Sequence, residues 1–250
     1  LIVEPVTRRG LQSLVRFPAS RILRMLVLTA TAAAAQVVAF RGTTPAVVIS
    51  GLAAFVLGLE CLEAFAQEID QSERCDALPC ERGWLLLRHL PVPTVVSAVL
   101  GFAGVAGVYA YARTDTSWQL GLLLAFPVMW GGAAGAALNV MSAIPEPVTA
   151  GSMSDVLPPE ISGMREVFRT ARPLVPAIAG SLPVLAARAA DRHGNNVFPP
   201  AAQATVAVAL VIAAVVWWTR KRDEVRTKAR ALWAAGDAEF KARQSRSRGF

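Results

Sequence analysis

Charge is scarce in this chain. Asp, Glu, Lys and Arg make up 17% of its 250 residues, where a soluble domain carries about 25%. Apolar residues fill the gap, at 54%, and the mean hydropathy is +0.44. Alternation is lacking as well: the apolar residues come in unbroken runs, which argues against a lipid-facing β-barrel. Helices and closed barrels are the two structures that satisfy backbone hydrogen bonds in lipid, so the expected fold class is an all-α integral membrane protein. Lysine is nearly absent, 3 against 22 arginines. With abundant Ala and Val, that is the composition of a GC-rich bacterial genome, and the expected location is a bacterial inner membrane.

Catalytic vocabulary is missing too. No Walker loop, GxGxxG, HExxH or GxSxG sequence occurs. The two histidines, His89 and His193, have no nucleophile at a telling spacing and read as solvated or interfacial. Three cysteines occur, Cys61, Cys75 and Cys80. A zinc site from Cys75, Cys80 and His89 can be drawn, but it lacks a fourth ligand, and ordinary reduced thiols are expected. No catalytic residue, cofactor or metal is therefore expected. Nor does any ionisable residue fall at the middle of a clear span, which argues against a proton relay or a charged-ring channel.

What is present is six apolar segments: about 22–40, 45–65, 92–111, 118–141, 173–187 and 200–218. Most reach the roughly 20 residues that a bilayer demands. The fifth is short and broken by Pro176, Gly180 and Pro183. Lys and Arg concentrate in alternate connections: the N-terminal arm (Arg8, Arg9, Arg16, Arg21, Arg24), the second-to-third loop (Arg74, Arg82, Arg88), the fourth-to-fifth loop (Arg165, Arg169, Arg172) and the tail from Arg220 to Arg248. The other loops hold only Arg41, Arg113, Arg188 and Arg192. That bias predicts both termini in the cytoplasm. It also accounts for the net charge of +7 through membrane lipids of the anionic inner leaflet, with no nucleic acid as partner. The expected organisation is an interfacial arm over 1–21, a six-helix transmembrane domain over 22–219 with cytoplasmic connections at 67–90 and 142–172, and a basic cytoplasmic tail over 220–250. The chain opens on Leu1 without an evident cleavable signal, and is expected to be processed, truncated or part of a longer polypeptide.

Small residues gather in the third and fourth spans (Gly101, Gly104, Gly107; Gly131, Gly135, Ala134, Ala137), where they read as close helix packing or as a substrate-lining or dimer surface. Most tryptophans lie near span ends and read as interfacial anchors. The connection 142–172 holds a short amphipathic piece with Ile161, Met164, Val167 and Phe168 on one side, which reads as a docking element or an interfacial helix. In the tail, Val225, Ala229, Leu232, Trp233 and Phe240 form a partial helical stripe, and residues 243–250 are expected to be disordered.

The densest charge sits in the connection 67–90. Glu60, Glu63, Glu68, Asp70, Glu73, Asp76 and Glu81 lie in or beside it, interleaved with Arg74 and Arg82. Three readings fit such a cluster: a carboxylate pair for catalysis or cation binding, a solvated helix face, or recognition of a basic groove on a soluble partner. The stretch Arg74-Cys-Asp-Ala-Leu-Pro-Cys-Glu-Arg-Gly-Trp-Leu-Leu-Leu-Arg88 resembles the cytoplasmic loop of ABC-2-type transporter permeases. The matching positions are Leu78, Pro79, Arg82, Leu85, Leu86 and Arg88; Arg74-Cys75 stands where that family usually has Gly-Thr. The arm with Leu11, Leu14, Val15 and Phe17 ahead of the first span, and the six-span layout, are similar to that family too.

The resemblance implies a permease without a nucleotide site, one half of a pair (a homodimer, a heterodimer or a fused double-length chain). A separate ABC ATPase subunit would dock through Asp70, Glu73, Arg74, Asp76, Leu78, Pro79, Glu81 and Arg82. Pro79 suits a boundary between a docking helix and the helix entering the membrane, because it lacks a donor and disfavours helix in the preceding residue. Two other classes stand beside the exporter subunit: a structural or assembly subunit that uses the same loop, and a lipid-modifying enzyme that would depend on carboxylates such as Glu60 or Glu63.

Overall fold

A computed structural model describes residues 7–8, 10–13, 16–70, 82–112, 118–142, 167–168 and 170–247. All regular structure among them is helical: α1 (Ala19–Arg41), α2 (Ala46–Cys61), α3 (Glu63–Asp70), α4 (Arg82–Arg88), α5 (Pro91–Ala112), α6 (Trp118–Ser142), α7 (Leu174–Ala179), α8 (Leu182–Arg192) and α9 (Phe198–Ser247). Five stretches are long and apolar enough to cross a membrane: Ala19–Arg41, Gly83–Gly107, Gly121–Ser142, Leu174–Arg192 and Phe198–Arg222. Large apolar side chains that would be costly in water stand exposed along three of them, among them Leu23, Val27, Val95, Val99, Val206 and Leu210. A multi-pass membrane protein accounts for them.

The expected second span is the exception. Ala46–Cys61 is a shorter apolar helix of 16 residues, about 24 Å at 1.5 Å per residue, against a hydrocarbon core of about 30 Å. It stops because Leu62 leaves helical geometry (φ −93°, ψ 13°) between Glu60 and Glu63, and the chain resumes as α3. The fifth span is interrupted as its prolines and glycine predict, at Gly180-Ser181 between α7 and α8. The tail departs from expectation: α9 runs without a break through Arg220 to Ser247, so residues 243–247 are helical.

α6 is the hub. α2, α5, α7 and α9 all pack on it, and 67% of its apolar window is buried against 17% for α9. Its small residues serve two neighbours from two faces. A Cβ on Gly58 of α2 would lie 2.9 Å from the Gly132 carbonyl oxygen and from Ala136 Cβ. A Cβ on Gly131 would lie 2.5 Å from the Pro176 carbonyl oxygen of α7. Of the two readings of these glycines, close helix packing therefore holds for Gly131 and Gly135, and Gly101 is likewise filled by Met129. Trp130 lies mid-helix on α6, not at a span end.

At one end of the bundle α1 closes on Gly42, whose φ of 141° is open to glycine and strained for other residues. The Gly42 and Thr43 N–H groups donate to the Ala39 and Val38 carbonyls at 3.2 and 3.1 Å, the paired bonds of a Schellman turn. Arg188, expected in an outer loop, instead lies buried on α8. Its Nη1 donates to the Ala39 carbonyl at 3.2 Å and to Thr44 Oγ1 at 3.0 Å. The negative end of the α1 dipole stabilises that guanidinium.

Candidate partner-docking site

At the opposite end of the bundle, the start of α1 meets the end of α2. Arg21 and Arg24 are one turn apart on α1 and reach the same carboxylate. Arg21 Nη2 donates to the Glu60 backbone carbonyl at 2.7 Å, satisfying one of the acceptors that the end of α2 leaves free. Arg21 Nε lies 3.0 Å from Glu60 Oε2, a charge contact without the alignment of a hydrogen bond. Arg24 Nε lies 2.8 Å from Glu60 Oε1, and Arg24 Nη2 donates to Oε2 at 3.1 Å. Arg21 also pairs with Glu63, the first residue of α3, and stacks over the Phe17 ring at 4.0 Å. Arg21 and Glu60 are only 14% and 15% exposed, so the centre of this network is held largely out of water, while Arg24 and Glu63 reach solvent. Glu60 has both oxygens engaged by arginine, which favours an anchor over a free catalytic base.

α3 is amphipathic. Phe65 and Ile69 are buried four residues apart, and Asp70 is exposed at its end. Phe65 and Ile69 enter a core cluster with Leu86 of α4, Ala137 and Met141 of α6, and Val215 of α9. α4 is fixed on the far side. Leu85 and Leu86 are buried, and a Cβ on Gly83 would fall within the Arg220 carbonyl of α9, so the α4 and α9 backbones touch. The Arg88 guanidinium sits 3.2 Å from the centre of the Trp84 ring. Beside them Arg172, ahead of α7, sits 4.8 Å from the Trp218 ring of α9. The two ends of the connection that starts after Asp70 and returns at Arg82 thus share one buried cluster with α6 and α9.

Of the residues expected to dock a partner, Asp70 is the exposed last residue of α3 and Arg82 the first of α4. Glu73, Arg74, Asp76, Leu78, Pro79 and Glu81 lie outside the described residues, as do Cys75 and Cys80 and the amphipathic stretch around Ile161 and Met164. His89 was expected at a solvated or interfacial place and is buried, at 7% exposure. Cys61 is a buried free thiol. Among the described residues no group of His, Cys, Asp and Glu could hold a metal.

Sequence reasoning missed the network of Arg21 and Arg24 with Glu60 and Glu63. The arginines read as topology signals and the glutamates as part of an acidic cluster. The usable signal was spacing: Arg21 and Arg24 are three residues apart at the start of α1, and Glu60 and Glu63 are three apart across the end of α2.

Among the described residues, a cavity lies between α1, α5 and α6, near Gln36, Leu124 and Met129, and holds about 70 Å³. That is room for a few waters and far below the roughly 300–1,000 Å³ of a small-molecule site. No protein-family model, no curated protein and no solved structure matches this chain.

Proposed function

We propose that this chain is the membrane-spanning subunit of an ATP-binding-cassette exporter, crossing a bacterial inner membrane six times with both termini in the cytoplasm. α2 and α3 together provide the crossing that α2 alone is too short to make. A separate ATPase seats on the connection between α3 and α4, and its closure moves that connection.

One observation carries the reading: α3 and α4 are anchored in the same buried cluster with α6 and α9. A push on the connection between them therefore reaches the bundle without being absorbed by a soft joint. The gathering of Arg21, Arg24, Arg88, Arg172 and Arg220 around this end, by the contacts described above, agrees with a cytoplasmic face. The resemblance of the Leu78–Arg88 stretch to ABC-2-type permeases supplies the identity of the partner. In this reading the transport path runs between two copies or two halves, which agrees with the small size of the internal cavity.

That same small cavity favours a second reading, a structural or assembly subunit that docks a complex through the same connection and transports nothing. Purification in mild detergent with mass spectrometry of the copurifying proteins separates the two. The exporter subunit brings an ATPase whose hydrolysis rate it alters. Replacing Asp70, Glu73 and Asp76 together by Lys releases that ATPase and leaves the permease folded. An ATPase that stays bound with unchanged hydrolysis refutes the docking site, and a complex without any ATPase favours the assembly subunit.

A further inference from the structure

Among the described residues, a second, larger hollow is lined by α1 and α5. On α1 the lining includes Leu26, Ala30, Ala34 and Arg41, and on α5 Gly104 and Gly107. Leu26, Ala30 and Ala34 recur every four residues and Arg41 follows seven further on, about two turns, so they fall along one face. The groove exists because these side chains are short and because the two helices part along their length. At Gly104 an added Cβ would meet Thr29 Cγ2 at 3.0 Å, whereas at Gly107 it would meet nothing within 4 Å. The opening therefore widens toward Arg41, and its volume is about 490 Å³.

Arg41 ends α1, is exposed, and has no ion pair or hydrogen bond among the described residues. Two carbonyls near the end of its own helix, those of Val38 and Ala39, are already occupied by Thr43 and Gly42, and the Ala39 one also by Arg188. Arg188 adds a second cation nearby, with Nη2 3.9 Å from the place of a Cβ on Gly42. Among the described residues no carboxylate pairs with either arginine. A guanidinium at the top of an apolar trough is complementary to a phosphate that carries a hydrocarbon chain. The length fits as well. Leu26 to Arg41 spans about 22 Å of helix, and one leaflet offers about 15 Å of hydrocarbon, half of the roughly 30 Å core. A chain hanging from Arg41 would stay in the groove through its whole leaflet.

We propose that this groove binds one anionic glycerophospholipid, its phosphate on Arg41 and one acyl chain along Ala34, Ala30 and Gly107. The site is independent of the transport reading, because it lies at the end of the bundle away from the docking connection.

Native mass spectrometry of the full chain in detergent, titrated with phosphatidylglycerol, tests it. The wild type should saturate with one lipid. Arg41→Gln should weaken that binding by about tenfold or more, the scale of a lost charge-assisted contact. Gly107→Leu fills the groove where nothing stands in its way, so it should fold normally and weaken binding similarly. Arg192→Gln, which removes an exposed cation of α8 at the same end, should bind as the wild type does. Glycerol 3-phosphate, which lacks the chain, should not compete. Wild-type binding by either Arg41→Gln or Gly107→Leu overturns the proposal, and so does full competition by glycerol phosphate. A Gly107→Leu variant that dissociates a dimer while keeping its lipid would assign the groove to a second copy of this chain instead.

Discussion

Replacing Arg21 by Met should loosen the end of the bundle that carries the docking connection. The substitution keeps an apolar stem against Phe17 but removes the hydrogen bond to the Glu60 carbonyl and the charge facing Glu60 and Glu63. Only Arg24 remains for Glu60, and it is 59% exposed. An exposed ion pair contributes about 0–1 kcal/mol, while breaking a fully buried one costs about 3–5 kcal/mol. Arg21 and Glu60 are each about one-seventh exposed and Glu63 is 40% exposed, so solvent screening discounts the buried figure, to about 2 kcal/mol. At about 2–4 °C per kcal/mol for a chain of this size, the detergent-solubilised protein should melt about 4–8 °C lower. Glu60→Gln should reduce the cost of Arg21→Met to about half or less, because the two side chains share one interaction. An Arg21→Met protein that melts with the wild type, or a cost that Glu60→Gln leaves unchanged, would refute the network as a structural clamp.

Gly83→Ala should force α4 off α9 at the Arg220 carbonyl, lowering stability by about 1–3 kcal/mol in a thermal melt; an unchanged melting temperature would deny the backbone contact. Gly42→Ala places a side chain at φ 141° and should cost about 1–3 kcal/mol, with Gly107→Ala as the neutral comparison in the same melt. Glu224 is held down to about 2 from its ordinary 4.5 by hydrogen bonds from Lys221 and Lys228. A carboxylate lowered in the folded state stabilises above the unfolded value, and its contribution is lost as pH falls through the folded one. The α9 extension should therefore be best ordered at neutral pH and lose this local support between about 4.5 and about 2. A spin label at Leu232 should report that loss, and Glu224→Gln should remove this part of the pH dependence; an identical titration in that variant would exclude Glu224 as its source.

The parts of the fold legible in the sequence were those where one local rule acts alone. The run Trp118–Met141 has no charge, and α6 covers Trp118–Ser142. Pro176, Gly180 and Pro183 predict a broken fifth span, and the chain turns at Gly180-Ser181. Misreadings came where composition was taken for geometry. The polar residues from Arg243 on read as disordered, yet no Pro follows Pro200, and α9 continues to Ser247. Conversely, reading 45–65 as one span passed over Glu60 and Glu63, and with them the stop at Leu62. Arg188, His89 and the network around Arg21 were misplaced or missed because their surroundings come from residues distant in the chain, such as Ala39 and Thr44 for Arg188. The docking residues between Asp70 and Arg82 rest on sequence pattern, and the structure adds the anchoring of the helices on either side.

The side of the membrane on which the α3–α4 connection lies is the most direct test of docking by a cytoplasmic ATPase. Cys61 is buried, so Cys75 and Cys80 are the thiols an impermeant maleimide would report. No labelling in intact cells, with labelling in inside-out vesicles, is the predicted result; labelling of Cys75 or Cys80 in intact cells would contradict it.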